Sequence, residues 1–196
     1  MWPVTAESTP HVNRQPMGSQ QIRIAVLVVL AVVVGVVLWL VLGHSSKHHK
    51  KKNNNPALGI PATAFNAANL KAESYVINTK FFWAGKKPGY KYEFTRDNRG
   101  YLYVRYLPAA VHVGAKGAHY LIVATYPVTG AYQALKAQAG KKAVSGPDGS
   151  IVYIRPSDHR SVLMAFPGVN DQIEIFDPSP PVAISTAESR KIKPIR

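Results

Sequence analysis

The sequence predicts an α+β fold in which a mostly antiparallel sheet of about seven strands carries about three helices, preceded by a transmembrane helix. Three observations support this fold. Residues 24–43 form an uncharged apolar run, strand-like alternation recurs between residues 81 and 176, and three helical stripes separate the strands. The expected order is helix, four strands, helix, three strands and helix, with the helices packed on one face of the sheet.

The apolar run at residues 24–43 reads IAVLVVLAVVVGVVLWLVLG and contains no charged residue. As a helix it would span about 30 Å, the thickness of a bilayer core. A cleaved signal peptide would have an apolar region of about 7–15 residues and a small-x-small exit. This run is longer and its exit reads LGHSSKHH, so we expect a retained, single-pass membrane helix over residues 22–43.

Polar segments flank the expected membrane helix on both sides. Residues 1–21 contain three prolines and no apolar periodicity, which is typical of a disordered tail. Residues 44–65 are rich in His, Lys, Asn and Pro, and are interpreted as a linker. Four lysines of this linker are expected to contact anionic lipid headgroups: Lys47, Lys50, Lys51 and Lys52.

The flanking charges leave the orientation in the membrane open. The positive-inside rule, applied to the lysine-rich side, would put the C-terminal part in the cytoplasm. The short polar tail and Arg23 beside the apolar run are instead typical of a signal anchor with an external domain.

A helix capped by Asn66 opens the folded domain, which is expected over residues 66–194. Aromatic residues that alternate with polar ones then predict half-buried strands. These first elements are the helix at 67–77, a short aromatic strand at 81–83, and strands at 90–95 and 101–107.

Residues 120–126 (YLIVATY) are almost all apolar, which predicts a central strand covered on both faces. A second helix is expected at 131–139, ended by Gly140. The remaining expected elements are strands at 151–154, 162–166 and 172–176 and a last helix that is capped by Ser179 and ends near Arg190.

A weak internal similarity links two stretches of the domain. The segment AGKKPG before YEF, in residues 84–94, is echoed by AFPG before IEIF, in residues 165–176. Each half would then be a helix followed by a strand meander. Matches this short also arise by chance, so the sequence leaves duplication open.

Several stretches of the chain resemble a group of single-pass membrane proteins of high-GC Gram-positive bacteria. The stretches are FFWAGKKPGYKYEFT, GYLYVRYLP, YLIVATYP and FPGVNDQIEIFDPSP, and the most specific parts are WAG, VRYLP and FDPSP. The resemblance covers the apolar run and nearly all of the domain, and it implies a signal anchor and a location outside the cytoplasmic membrane. No activity or functional residue is carried over. This chain departs from the group in its more basic, Asn-rich linker.

The residues that could carry chemistry do not form a known arrangement. The chain has no cysteine, and Ser157 to Ser161 holds Ser, Asp and His only as neighbours in an expected turn, where side chains point apart. His112, His119 and His159 could converge on a metal, but an exposed or structural role is the expected one. We therefore expect no catalytic residue, no metal and no cofactor.

The basic and aromatic content is the remaining functional signal, because the chain carries a formal net charge of +14. Strand alternation places Tyr101, Tyr103 and Arg105 on the face opposite Leu102 and Val104. Aromatic rings beside basic groups stack on sugars or bases and pair with anions. These three residues are the expected partner-binding face, although an ordinary sheet surface with solvated charges is also compatible with the pattern.

Three functions remain open at this point. The first is a non-enzymatic, membrane-anchored binding module of the cell envelope, with the bilayer, anionic headgroups and an envelope protein or anionic polymer as partners. The second is a cytoplasmic, membrane-tethered module that binds nucleic acid with salt-dependent affinity. The third is a hydrolase whose site the sequence does not reveal. Nucleic acid is not an expected partner if the domain lies outside.

Overall fold

The computed structural model describes residues 59–195, which form ten strands and three α-helices. No helix in this part of the chain is long and apolar enough to cross a membrane. The expected tail, membrane helix and linker lysines lie outside the described residues. The helices are α1 (Ala67–Val76), α2 (Ala131–Ala139) and α3 (Pro180–Glu188), and the strands are β1 (Ile60–Phe65), β2 (Phe81–Trp83), β3 (Tyr90–Arg96), β4 (Leu102–Pro108), β5 (Ile122–Pro127), β6 (Val144–Ser145), β7 (Ile151–Ile154), β8 (Ser161–Ala165), β9 (Asp171–Phe176) and β10 (Lys193–Ile195).

Eight of these strands form one antiparallel sheet, in the order β1-β3-β4-β5-β9-β8-β7-β6. Two meanders, β3-β4-β5 and β7-β8-β9, meet where β5 pairs with β9. The remaining strands, β2 and β10, pair with each other in a separate antiparallel sheet. The α+β class and the mostly antiparallel sheet are as the sequence predicts.

The two matching stretches of the sequence fall in β3 and β9, which do not hold equivalent places in this arrangement. β3 is next to the edge strand β1, whereas β9 lies in the centre of the sheet. The two similar units of the structure are therefore the two meanders, and the short sequence match does not align equivalent strands of them.

One face of the large sheet carries the main hydrophobic core. The alternate residues of the strands that point to this face pack with α1, α3, β2 and β10, because apolar side chains of period two share one side of a strand. Buried members include Phe94, Val104, Val123, Met164 and Ile175, together with Leu70 of α1 and Ala183 and Ala187 of α3.

The opposite face is covered by α2 and by the loop of residues 109–121. α2 packs against β7, β8 and β9, and so does α3, but only α3 contributes side chains to the main core. The two helices therefore lie on opposite faces of the same strands. The expectation that all helices pack on one face is wrong, because Leu163 and Ala165 give β8 a second apolar side that α2 buries.

Three strands lie where the sequence indicated none. β1 occupies the last six residues of the expected linker, and β6 and β10 are only two and three residues long. β1 contains Pro61, which an edge strand tolerates because one side of its backbone faces solvent. The domain therefore begins near residue 60 rather than at Asn66, which remains the cap of α1 and accepts a hydrogen bond from the backbone N–H of Asn69.

The central strand and the last helix agree with the sequence in position and nature. Every residue of β5 from Ile122 to Tyr126 is buried, and β5 lies fourth in the eight-stranded sheet. α3 has Ser179 at its N-cap position and proline in its first turn, as expected, but the Ser179 side chain makes no capping hydrogen bond. It ends at Glu188, two residues earlier than the sequence indicated.

Candidate functional site

The expected binding face lies on the side of the sheet that α2 and the 109–121 loop cover. Register pairs align Glu93 on β3 with Arg105 on β4, and Thr95 with Tyr103. Tyr101, just before β4, continues the same face toward Tyr126. Strand alternation thus brings Tyr101, Tyr103 and Arg105 to one face, as the sequence predicts.

This face is not open to a partner in the structure. Tyr103 and Arg105 are each only 9% exposed, and Tyr101 is half-buried. The rings of Tyr101 and Tyr103 contact the ring of Tyr126 edge-on, with centroid distances of 5.0 and 6.2 Å. Burial raises the pKa of the Tyr103 hydroxyl well above its usual range. Tyr103 and Tyr126 pack as core residues, with Tyr101 half-buried beside them, and sequence alternation alone could not distinguish this packing from a binding face.

Arg105 is held in the interior by a carboxylate and by the loop. Its Nε lies 3.3 Å from Oε1 of Glu93, and its Nη2 donates a hydrogen bond to the carbonyl of Ala115. Oε2 of Glu93 accepts a hydrogen bond of 2.6 Å from the backbone N–H of Gly114. A buried ion pair of this kind fixes the loop over the sheet and leaves no free cation for a ligand.

A second buried polar cluster lies on the same face, centred on Glu174 of β9. Its Oε2 accepts a 2.6 Å hydrogen bond from the hydroxyl of Tyr126, and its Oε1 accepts hydrogen bonds from Ser161 and from Nη2 of Arg155. Burial, with the Glu174 charge beside it, raises the pKa of Tyr126. The cluster joins β5, β8 and β9 to the residue that follows β7.

This cluster does not have the geometry of a nucleophilic site. The Ser161 hydroxyl is fully buried and donates to Glu174, so it is neither accessible nor paired with a histidine base. Asp158, the acid that precedes His159 in the sequence, accepts hydrogen bonds from Arg160 instead. The side-chain hydrogen bond from Arg160 lowers the pKa of Asp158. The SDHRS stretch therefore forms a salt-bridged turn.

The histidines of the domain are not gathered around a common point. Among residues 59–195, no group of three potential His, Asp or Glu ligands is close enough to hold a metal ion. The ring of His119 packs edge-on against Tyr120 and beside Gly117, while His112 is exposed.

Another aromatic and basic cluster is open to solvent, at the end of β2. We call it the Trp83 surface, and it consists of Trp83, Lys86, Lys87, Tyr90 and Lys193. The two rings are half-buried and the three lysines are exposed. Lys193 pairs with Trp83 across the two-stranded sheet, and Nζ of Lys87 lies 4.0 Å from the ring centroid of Tyr90.

Two tyrosine hydroxyls hold the backbone of this surface in place. The hydroxyl of Tyr106 accepts from the N–H of Ala84 at 2.7 Å and donates to the carbonyl of Gly85 at 3.1 Å. The hydroxyl of Tyr92 accepts from the N–H of Lys87 at 2.9 Å. The loop that carries Lys86 and Lys87 is thus anchored to β3 and β4, which fixes its backbone between Trp83 and Tyr90.

The charges of the Trp83 surface are unneutralised. Four ion pairs are present in the described part of the chain, and their cations are Arg99, Arg105, Arg155 and Arg160. Lys86, Lys87 and Lys193 therefore have no carboxylate within ion-pair distance among these residues. Three lysines beside an indole and a phenol ring form a combination that attracts anions and stacks on flat groups.

A shallow groove of about 200 Å³ lies between the first turn of α2 and the turn joining β8 to β9. Its lining includes Tyr132, Gln133 and Asn170 and contains no charged side chain. It therefore offers shape and a few polar groups, but neither an acid–base pair nor a cation.

The sequence pointed to aromatic and basic residues in this region but not to their grouping. Lys86, Lys87 and Tyr90 surround a visible turn signal, whereas Lys193 joins them only through β10, which is too short to recognise. The Glu174 cluster had one signal, the alternation of Gln172 and Glu174 with Ile173 and Ile175. That pattern was compatible with a solvated face, because the covering helix α2 was expected elsewhere.

No protein family, curated protein or solved structure was found to match this chain.

Proposed function

We propose that this protein is a membrane-anchored, extracytoplasmic binding module of the cell envelope, and that it is not an enzyme. The uncharged run at residues 24–43 supports the anchor, because a single span in lipid must be a helix of about this length. The Trp83 surface supports the binding role. Its partner is an anionic polymer or an acidic face of an envelope protein.

The observation that carries the binding role is the contrast between buried and exposed cations. The two buried arginines, Arg105 and Arg155, are paired with carboxylates. The exposed lysines of the Trp83 surface have no such partner among residues 59–195. Cations without a paired carboxylate attract polyanions over about one Debye length, roughly 8 Å at physiological salt.

The described polar groups favour binding over catalysis. Ser161 is fully buried, and Asp158 forms an ion pair with Arg160. The groove beside α2 has no charged side chain in its lining. A hydrolase would need a nucleophile or activated water beside a base in an accessible cleft.

Binding to polyanions tests the Trp83 surface directly. We expect the full-length protein in detergent to bind dextran sulfate and polygalacturonate but not neutral dextran, with an affinity that falls as salt is raised. The double variant Lys86→Gln, Lys87→Gln should weaken binding and reduce its salt dependence.

A matched control is the double variant Lys141→Gln, Lys142→Gln, which removes two exposed adjacent lysines after α2. It should leave binding close to that of the unchanged protein. Equal losses in the two double variants would show that net charge, not the Trp83 surface, attracts the polymer, and would refute the proposal.

Topology separates the two binding functions. A reporter fused to the C-terminus should be active outside the cytoplasm, and mass spectrometry should find residues 24–43 retained in the mature chain. A reporter active only in the cytoplasm would favour the nucleic-acid alternative. A mature chain starting near His44 would show that the apolar run is removed.

A further inference from the structure

The C-terminal end of α1 presents two adjacent apolar side chains to solvent. Tyr75 is 63% exposed and Val76 is 78% exposed, more than any other large apolar residue in the described part of the chain. We call these two residues the α1 tip. Single exposed apolar residues are common, but an adjacent pair with such high exposure forms a local apolar projection.

The α1 tip lies at the end of the sheet where the chain enters it. Ile60, the first residue of β1, belongs to a row of register partners that continues through Arg96 and Leu102 to Thr125. The Thr125 hydroxyl accepts a hydrogen bond of 2.9 Å from the N–H of Phe82. β2 therefore lies against the same end of the large sheet as Ile60.

Only four residues separate α1 from β2. Lys80, at the end of this connection, is close enough to Asp171 to oppose the rise in its pKa that burial causes. Asp171 pairs with Pro127 at the same end of the sheet. The α1 tip, Lys80 and the entry point of the chain therefore share one end of the domain.

We propose that the α1 tip inserts into the headgroup region of the lipid bilayer, with Lys71 and Lys80 against anionic headgroups. This inference rests on the proposed membrane anchor. Only fifteen residues, 44–58, connect the apolar run to the described chain, and the span expected from that number of residues is roughly 20–25 Å. The end of the domain that carries the α1 tip is therefore the end held nearest to the membrane.

The chemistry of the α1 tip suits a lipid surface. Tyrosine is enriched at membrane interfaces, where its ring contacts acyl chains and its hydroxyl reaches water. Lys71 is exposed one helical turn before Tyr75, and Lys80 is half-buried. Glu73 of the same helix is half-buried and carries the opposing charge, so the apolar pair supplies the main attraction and the lysines select anionic lipid.

A depth measurement on the full-length protein tests this inference. The chain has no cysteine, so Val76→Cys creates a unique site for an environment-sensitive fluorophore. In nanodiscs of phosphatidylglycerol and phosphatidylcholine, the label should show blue-shifted emission and should be quenched by brominated acyl chains. Thermal unfolding should be unchanged, because position 76 is exposed.

The matched control is a label at Val182→Cys, another exposed valine, located in the first turn of α3. That turn follows Phe176, which pairs with Ile122 and Ser161 at the other end of the sheet. Its label should remain in water and escape quenching. Quenching at both positions would overturn the inference, because the whole domain would then lie non-specifically on the bilayer.

Two further outcomes separate the inference from the anchor. If the protein is recovered in nanodiscs but the Val76→Cys label stays in water, the α1 tip does not insert and the inference fails while the anchor stands. If the protein does not incorporate into nanodiscs, the anchor itself fails. An equal shift in pure phosphatidylcholine would overturn the assignment of Lys71 and Lys80 to anionic headgroups.

Discussion

Glu174 accepts hydrogen bonds from three side chains that come from other parts of the sheet, and this makes it the most connected buried carboxylate in residues 59–195. Tyr126, Ser161 and Arg155 each contribute one donor. A buried charge is tolerated only when it is paired and its remaining lone pairs are bonded. The donors therefore offset part of the cost of burying the Glu174 charge, and removing one of them leaves that charge uncompensated.

Replacing Arg155 with methionine should destabilise the domain strongly. The change keeps the side-chain volume but leaves Glu174 without its counter-charge, for which we expect a loss of about 3–5 kcal/mol in the free energy of unfolding. Urea unfolding followed by tryptophan fluorescence would measure it.

The control for this prediction is Arg160→Met. Arg160 forms an ion pair with Asp158 at 2.9 Å, but its side chain is 44% exposed, so its loss should change stability by about 0–1 kcal/mol. Similar losses in the two variants would mean that the Glu174 cluster contributes no more than a surface pair.

The sequence could predict which face of the sheet a side chain occupies, but not whether that face is buried. Alternation correctly put Tyr101, Tyr103 and Arg105 on one face, but it could not show that the 109–121 loop and Glu93 would bury that face. The loop reads as an exposed Gly-rich connection. Its anchoring depends on a hydrogen bond from Arg105 across ten residues of sequence and on a hydrogen bond to Glu93 across twenty-one residues.

At the scale of elements, the strands that the sequence predicted correctly are those with clear hydrophobic alternation or continuous apolar character. β3, β4 and β5 are long and show clear alternation or continuous apolar character, so their positions followed from the sequence. β6 and β10 are too short to carry a period, and β1 is masked by Pro61 and small residues. These three strands exist because a longer neighbour supplies their hydrogen-bond partners, which is tertiary information.

The edge strand β1 should be required for the stability of the domain. Phe65 packs edge-on against Phe94 at 6.0 Å, and β1 covers the open side of β3 over four register pairs. A soluble version starting at residue 59 should therefore unfold at a higher temperature than one starting at residue 66.

Thermal unfolding by circular dichroism would compare the two versions. The shorter version should also aggregate more readily, because it exposes the edge of β3. Identical midpoints and solubility would show that β1 adds nothing to the sheet and that the domain begins at Asn66, as the sequence suggested.

At the scale of the whole molecule, the buried tyrosines make stability depend on alkaline pH. Burial raises the pKa values of Tyr103, Tyr106 and Tyr126 above the ordinary value for tyrosine. Their contribution to stability is complete below about pH 10, where both the folded and the unfolded chain hold the protons. Above that pH the unfolded chain releases protons that the folded chain retains, so stability falls.

We therefore expect the unfolding temperature to stay level up to about pH 9 and to fall steeply above pH 10. Tyrosinate absorbance recorded in parallel should show a late group of tyrosines that titrate together with unfolding. Titration of all tyrosines near pH 10 in a domain that remains folded would contradict this account. Tyr75→Phe, at an exposed position, is the control and should leave the pH profile unchanged.

The pairing of β10 with β2 also constrains when the domain can fold during its synthesis. Ile195 lies opposite Phe81, more than one hundred residues earlier in the sequence, and both side chains belong to the main core. The two central strands, β5 and β9, likewise join distant halves of the chain. Contacts this distant in sequence form slowly, because a long loop must be closed before they are gained. The domain therefore cannot complete its core until its last residues have left the ribosome, and a nascent chain that crosses a membrane during synthesis would do so before it folds.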